Sequence, residues 1–310
     1  MMLSRIAESL FWIGRYVARA DGTARILDVH LQLLLEDPWV DEETACESLF
    51  GVMGAVVDPE LPRTRQSVLD TLAADRTQPV SISYSLSAAR ENARRAREII
   101  SSELWETLNA TQMKMPRRVP QDRAHGYFTW VRDRTALIHG IFDASTSRDE
   151  AWYFFRLGLM IERADMTARL IATRALTQAS GPSWTTLLRS CGAYEGYLRT
   201  YRGIPSAARA AEFLIMDRLF PRSIIFAIST AEDCLRQLEP RSDRAGVSDA
   251  ALRTLGSMRS KLEFMPVSAI LEDTAGQMID VQEAASLASE AVRQRYFPTD
   301  PIPAWAGEVV

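Results

Sequence analysis

The segment that decides the fold lies near the amino-terminal end, where residues 3–38 read LSRIAESLFWIGRYVARADGTARILDVHLQLLLEDP. Its apolar residues recur in alternating steps of four and three, the spacing of one face of an α-helix. These positions are Ile6, Leu10, Ile13, Val17, Ala20, Ala24, Leu27, Leu31 and Leu34. Ser4 is the predicted N-cap and Pro38 ends the run, so we predict one helix of about 32 residues, about 48 Å long.

The same spacing recurs in two other long segments. It runs from Ile82 to Ile100, and again from a capping sequence at Ser147 to about Gly181. Shorter helices are predicted at 41–58, 63–75, 122–143, 183–201, 206–217, 222–238, 248–265 and 268–296. Loops and an extended, proline-rich tail are expected at Met115–Gln121, Pro240–Val247 and 298–310. Because no convincing strand pair exists, the sequence predicts an all-α, multi-helix bundle built on long antiparallel helices.

The composition excludes several classes of protein. The chain has 310 residues, 47% of them apolar and 25% charged, which is typical of a globular protein. A formal charge of −4 argues against nucleic-acid binding. The sequence has no long uninterrupted apolar run and no signal-peptide pattern, which predicts no membrane span. Three widely separated cysteines, Cys46, Cys191 and Cys234, form no disulfide framework and favour a cytoplasmic location.

An internal repeat relates the first long segment to the third. Residues 13–27 read IGRYVARADGTARIL and residues 157–171 read LGLMIERADMTARLI. Seven of fifteen positions are identical at a constant offset of 144, which is more than chance gives. We therefore expect one helical domain at 1–297, composed of related halves at 1–145 and 146–297.

Both repeats carry small and charged residues at matching positions. Ala20 and Ala24 in the first match Ala164 and Ala168 in the second, and such small residues let helix backbones approach closely. We therefore predict that the two long helices pack directly against each other. The charged residues of the two repeats are Arg15, Arg19, Asp21 and Arg25, and Glu162, Arg163, Asp165 and Arg169. We expect the first two arginines to lie on the helix face away from this packing.

A further group of charges lies in the second long segment. Its members are Glu91, Arg94, Arg95 and Glu98. Two interpretations stay open for all of these charges. They form ion pairs between long helices, or they line a polar pocket in which arginines bind a carboxylate or a phosphate. The repetition of the charge pattern favours residues that meet in a partly dry seam.

The sequence lacks the motifs of several enzyme and metal-site classes. A di-iron carboxylate bundle needs two Glu-x-x-His segments, whereas the sequence has a single related segment, Asp122-x-x-His125. It has no H-E-x-x-H zinc motif, no phosphate-binding P-loop, no dinucleotide-binding glycine motif and no G-x-S-x-G nucleophile motif. We therefore predict no metal and no cofactor, and we interpret His139 as a core residue.

Five stretches of the chain resemble, in order, blocks of the bacterial alpha-E family, which is named for its α-helices and a Glu-Arg motif. They lie at 3–29, 89–109, 147–171, 187–201 and 211–228. The resemblance covers nearly the whole chain and implies an all-helical fold. The first block departs from the family, where it usually reads E-R-A-E, because here it reads Ala18-Arg19-Ala20-Asp21. The second block keeps the pair, as Glu162-Arg163.

Members of this family are associated with ATP-grasp amide ligases and with transglutaminase-like proteases. The resemblance therefore implies a role in making, modifying or cleaving a peptide or amide, with these two proteins as partners and a peptide as a further ligand. In one interpretation the chain is a non-catalytic helical partner, which the missing nucleophile–base motif favours. In the alternative it is an enzyme acting on peptide amides, with Glu162 and Asp165 as catalytic candidates and Arg163 and Arg169 stabilising charge.

Overall fold

The computed structural model of the protein describes residues 2–36, 40–174, 183–239 and 246–298. This part of the chain is helical and contains no β-strand, so the prediction of an all-α, multi-helix bundle is confirmed. The α-helices are α1 (Ser4–Glu36), α2 (Glu42–Met53), α3 (Arg65–Val68), α4 (Ile82–Arg95), α5 (Ser102–Lys114), α6 (Ala124–Ser145), α7 (Glu150–Ala172), α8 (Trp184–Ser190), α9 (Tyr194–Tyr201), α10 (Ala207–Met216), α11 (Ile224–Leu238), α12 (Ala250–Phe264), α13 (Val267–Glu272) and α14 (Thr274–Tyr296). A π-helical segment at Leu69–Ala74 continues α3, and a 3-10 turn at Gln121–Arg123 precedes α6.

Side-chain caps set where the helices begin. The hydroxyl of Ser81 accepts a hydrogen bond from the backbone N–H of Tyr84 at the start of α4, and Ser223 caps α11 in the same way. Such caps satisfy backbone donors that the first helical turn leaves unpaired. Helix α7 begins at Glu150 after the N-cap Asp149, close to the start predicted from its capping sequence.

The second long segment is shorter than its apolar spacing predicts. The spacing continues from Ile82 to Ile100, whereas α4 ends at Arg95. The next residues form a turn, and the hydroxyl of Ser101 caps a new helix, α5, that the sequence analysis missed. A local capping signal therefore overrides a continuous helical pattern.

Two other predicted helices are divided. The segment 183–201 breaks into α8 and α9 at Gly192, which has a φ of +63° that glycine adopts without strain. The segment 268–296 breaks into α13 and α14 at Asp273, whose carboxylate caps α14. The predicted end of α7 near 181, most of the predicted loop at 240–247 and the predicted tail beyond 298 lie outside the described residues.

Helices α1 and α7 form the centre of the bundle, and they run parallel. A β-carbon on Gly14 would lie 2.2 Å from the carbonyl oxygen of Phe155, and one on Gly158 would lie 2.0 Å from that of Phe11. Adding 144 to Gly14 gives Gly158, and subtracting 144 from Phe155 gives Phe11, so each contact is the equivalent of the other. The two repeats are therefore related by a local two-fold axis. The predicted direct packing of the two helices is therefore observed, and within this pair the helices are parallel, because pairing equivalent residues requires parallel chains.

The helices that surround this central pair run in the opposite direction. The contacts of α4 and α6 with α1, and of α11 and α14 with α7, join late residues of one helix to early residues of the other. The hydroxyl of Thr23 donates to the carbonyl oxygen of Val80 at 3.2 Å, and that of Thr167 donates to Arg222 at 3.2 Å. The repeat therefore extends beyond the central helices to α4 and α11. A domain boundary near 145 stays a prediction.

Candidate functional site

A cavity of about 360 Å³ lies along the central helix pair, and we name it the central pocket. Its walls come from α1 and α7, with α14 and the residues before α4 completing the rim. The polar and charged lining residues are Arg15, Arg19, Glu162, Asp165, Arg169, Gln282, Ser286, Ser289, Glu290 and Arg293. The volume falls within the range of small-ligand sites in proteins.

Glu162 is the buried centre of this pocket. Its Oε2 accepts hydrogen bonds from Nε of Arg15 at 2.6 Å and from Nη2 of Arg19 at 2.9 Å, and its Oε1 accepts a third from Nε of Arg19. Arg15 also donates to the hydroxyl of Ser289 on α14. The prediction that Arg15 and Arg19 face away from the helix packing is wrong, because α14 covers that side of α1 and α7 and closes the pocket around them.

The electrostatics of the pocket keep Glu162 ionised. Burial alone would raise the pKa of Glu162, but the charges of Arg15 and Arg19 lower it to about 2. Burial is the largest single influence on Arg19 and disfavours its charged form, but the charge and hydrogen bonds of Glu162, with the charge of Asp165, together outweigh burial and raise the pKa of Arg19. The carboxylate therefore carries no proton at neutral pH, and its oxygens are already occupied by arginine donors.

Asp165 lies one helical turn beyond Glu162 and has a single arginine partner. Nε of Arg169 donates to its Oδ2 at 2.8 Å, and Nη1 of Arg169 donates to the carbonyl oxygen of Val52 at 2.5 Å. Burial raises the pKa of Asp165, the nearby charge of Arg169 opposes that rise, and the negative charge of Glu162 adds to it. Of the two catalytic candidates, Asp165 is thus the one whose proton affinity is increased.

The first repeat reproduces this aspartate–arginine pair. Nε of Arg25 donates to Oδ2 of Asp21 at 3.0 Å, and Arg25 also donates to the carbonyl oxygen of Ser190. Arg222 adds a second ion pair to Asp21 at 2.5 Å. Burial opposes the charge of Asp21, but Arg222 and Arg25 hold its pKa well below the usual range. Arg222 was not predicted from the sequence, although Pro221-Arg222-Ser223 is the counterpart of Pro79-Val80-Ser81, which precedes α4.

Arg163 has no such partner. Its Nη1 donates to the carbonyl oxygen of Pro221 at 3.2 Å, and it forms no ion pair with the described residues. The ion-pair interpretation of the repeated charges therefore does not hold for Arg163. The reason is visible in the repeat, since Arg19 binds Glu162 and the residue equivalent to Glu162 is Ala18.

The charges predicted on the second long segment do not reach the central pocket. Glu91 accepts a hydrogen bond from Arg94 at 2.6 Å and lies 3.9 Å from Arg95, and all three side chains are exposed. Glu98 lies beyond the end of α4. Glu91, Arg94 and Arg95 form a surface ion-pair group, and such solvated pairs contribute little to stability.

Several pocket residues were not predicted from the sequence. Gln282, Ser286, Ser289, Glu290 and Arg293 come from α14, where the chain reads QEAASLASEAVR. This stretch of small and polar residues in a helix is a weak signal of a helix that faces a polar cavity. Trp12 also lines the pocket, and its ring lies under the guanidinium of Arg15 at 5.5 Å.

The described residues contain neither a candidate metal site nor a candidate membrane-spanning helix. No group of three or more histidine, cysteine, aspartate or glutamate side chains is placed to hold a metal ion there. No helix in this part of the chain is long and apolar enough to cross a membrane.

Comparisons with known proteins place the chain in a family. The sequence model of the Alpha-E family, described as a predicted alpha-helical domain with a conserved ER motif, matches residues 2–297. An uncharacterized protein of Mycobacterium bovis and one of Mycobacterium tuberculosis are each 23% identical over 262 residues. Each alignment covers 76% of this chain and 30% of the relative, so the chain spans about a third of the relatives' length. No solved structure matches the chain significantly.

The Glu-Arg pair named in that description corresponds to Glu162 and Arg163. The two residues differ in how their charges are compensated. Glu162 is neutralised by two arginines from the other repeat, and Arg163 has no ion-pair partner among the described residues. With its helical architecture and a match over nearly its whole length, the chain belongs to the Alpha-E family.

Proposed function

We propose that this chain is a non-catalytic helical partner in a system that makes or modifies peptide or amide bonds, and that its central pocket binds a peptide segment. The observation that carries the proposal is the saturation of Glu162. Arginines 15 and 19 occupy both of its carboxylate oxygens. A general acid must hold a proton and an efficient general base needs a pKa near the working pH, whereas Arg15 and Arg19 lower the pKa of Glu162 to about 2.

The lining of the central pocket suits a peptide. Four arginines and three carboxylates face a space whose α14 wall adds the amide of Gln282 and the hydroxyls of Ser286 and Ser289. Amide and hydroxyl groups donate to and accept from peptide bonds, while arginine binds side-chain carboxylates. The nearly balanced charge favours a polar, amide-bearing ligand over a highly charged one.

The resemblance to the alpha-E family supports the choice of partners. Its association with ATP-grasp amide ligases and transglutaminase-like proteases makes these two proteins the proposed partners. The curated relatives are much longer than the aligned region, which is consistent with a helical unit that works beside other domains. The chain offers helices and arginine–carboxylate sites for docking such a partner.

The test is an activity assay of an ATP-grasp amide ligase from the same organism, purified with and without this chain. We expect amide formation to change several-fold when the chain is added. Arg293→Ala, at the exposed rim of the pocket, should weaken that effect. Arg94→Ala, at an exposed arginine outside the pocket that is likewise paired with a glutamate three residues before it, should not. The proposal would be contradicted if the rate of amide formation did not change when the chain is added, or if both variants changed that effect equally.

One observation favours the alternative of an enzyme. The pKa of Asp165 is raised by burial, and a carboxyl group that holds its proton more tightly is a better general acid. Turnover of a peptide amide by the purified chain, abolished by Asp165→Asn with unchanged folding, would establish that alternative. We expect no turnover, because Arg169 occupies Oδ2 of Asp165.

A further inference from the structure

The repeat produces a second charged site, related to the central pocket by the offset of 144. Trp12 and Arg19 line the central pocket, and their counterparts on α7 are Arg156 and Arg163. His139 of α6 lies within the electrostatic reach of both of these arginines and of Arg222. We name Arg156, Arg163, Arg222 and His139 the cationic cluster.

Several polar groups of the cationic cluster are unpartnered. Nε of Arg156 and Nε2 of His139 are buried and have no hydrogen-bond partner in the part of the chain that the structure describes. Within the described residues, Arg163 has a carbonyl oxygen as its hydrogen-bond acceptor and no carboxylate. Asp21, the nearby acid, is shared by Arg25 and Arg222. Buried polar groups without a hydrogen-bond partner are costly, so the cluster is incomplete as it stands.

The protonation equilibria agree with this geometry. Burial, followed by the charge of Arg222, lowers the pKa of Arg163 to about 9. Burial, followed by the charge of Arg163, lowers the pKa of His139 to about 3. Both shifts show a site that disfavours positive charge, as expected where cations outnumber carboxylates.

Comparison with the central pocket identifies the hydrogen-bond acceptor that the cationic cluster lacks. There, Arg19 binds the carboxylate of Glu162. In the cationic cluster Arg163 takes the place of Arg19, and the methyl group of Ala18 takes the place of the glutamate side chain. Ala18 is 5% exposed and cannot supply an acceptor.

We propose that the cationic cluster binds the carboxylate group of an external ligand, which replaces the side-chain carboxylate that Ala18 lacks. A planar carboxylate matches the fork of guanidinium donors and can accept from two arginines at once. The side chain of Arg222 is 25% exposed, and Arg156, Arg163 and His139 are half-buried, so the cluster is partly open to solvent.

The experiment uses the full chain and acetate as the probe. Thermal unfolding is followed while acetate replaces chloride at constant ionic strength, so that a ligand bound by the folded state raises Tm. We expect a saturable rise of roughly 3 °C in the parent protein. Arg163→Gln should abolish it, and Arg94→Gln, which changes an arginine already paired on the surface, should leave it intact.

The second test introduces a side-chain carboxylate at position 18. Ala18→Glu should remove the response to acetate, whereas Ala18→Gln, of equal size and no charge, should retain at least part of it. If these two variants do not fold, the comparison of Arg163→Gln with Arg94→Gln still decides. No saturable response in the parent, the same response in Arg163→Gln, or an equal rise with inorganic phosphate would overturn the carboxylate site.

The cationic cluster shares no residue with the lining of the central pocket. Acetate binding that depends on Arg163 therefore stands or fails separately from any effect of the chain on a partner ligase.

Discussion

The central pocket and the cationic cluster occupy equivalent positions in two repeats, yet their charges are balanced differently. In the pocket, Glu162 lies between Arg15 and Arg19 and every one of its acceptor oxygens is used. In the cluster, Arg163 and Arg156 have no carboxylate partner among the described residues. The same helix pairing thus yields one neutralised seam and one seam with excess positive charge.

The difference shows how little sequence change separates a structural ion pair from a binding site. Glu162 and Ala18 are equivalent positions, and the glutamate decides whether the facing arginine is paired. A buried pair is expensive to break, because removing one partner leaves an uncompensated charge. An arginine that never had a partner remains available to a ligand.

The largest expected effect comes from breaking the neutralised seam. Glu162→Gln leaves Arg15 and Arg19 as unpaired buried cations, so we expect the free energy of unfolding to fall by about 3–5 kcal/mol. Chemical denaturation measures this change. Glu91→Gln removes an exposed partner of Arg94 and should cost no more than about 0.5 kcal/mol. A loss of similar size in both variants would show that burial of Glu162 does not matter.

The next effect tests the helix crossing that brings both seams together. In Gly158→Ala the new β-carbon meets the carbonyl oxygen of Phe11 at 2.0 Å, and backbone cannot move aside easily. We expect a loss of about 1–3 kcal/mol from overpacking, measured by denaturation. Gly140→Ala is the matched control, because its β-carbon meets no atom within 4 Å, and it should be neutral or slightly stabilising. Equal stability of both variants would argue against the parallel pair.

The pH dependence of stability probes the cationic cluster. The folded-state pKa of His139, about 3, lies below its unfolded value of 6.5. Its contribution is therefore complete above pH 6.5 and is lost as the pH falls towards 3. Between pH 7 and 5 we expect the parent to lose about 1–2 kcal/mol more than His139→Phe, which keeps an aromatic ring beside Phe155. Parallel stability curves would show that His139 titrates normally.

The smallest effect is expected at Arg163 itself. Arg163→Met removes a cation that has no ion-pair partner among the described residues and keeps much of its apolar stem, so the free energy of unfolding should change by less than about 1 kcal/mol, in either direction. Urea denaturation at low salt measures it. A loss as large as that of Glu162→Gln would mean that Arg163 has a strong partner after all.

Much of the fold could be predicted from apolar spacing. The 3/4 periodicity of α1 and α7 and their repeat led to the observed helix pair. Spacing alone did not give the direction of that pair, because it says which face of a helix is buried but not against which partner. It also missed the breaks at Ser101 and Gly192, where a cap and a left-handed residue end a pattern that continues in sequence.

The site was less accessible to sequence reasoning. The repeat singled out Glu162, Asp165 and their arginines. The pocket residues of α14 were not found, because α14 is distant in sequence from both repeats. Arg15 and Arg19 were assigned to the wrong face of α1. The apolar spacing marks a single buried face, whereas α1 has neighbouring helices on several sides. The surface group at Glu91 shows the converse error, since charges that share a helix face need not belong to a site.

The most direct test of the account is the difference in unfolding free energy between Ala18→Glu and Ala18→Gln. Both variants introduce a side chain of the same size, so packing strain cancels in the difference. If Arg163 lacks the partner that Glu162 gives Arg19, the glutamate variant will be more stable by about 1–3 kcal/mol at pH 7. If the glutamate variant is equally or less stable, the two seams do not differ in the way described.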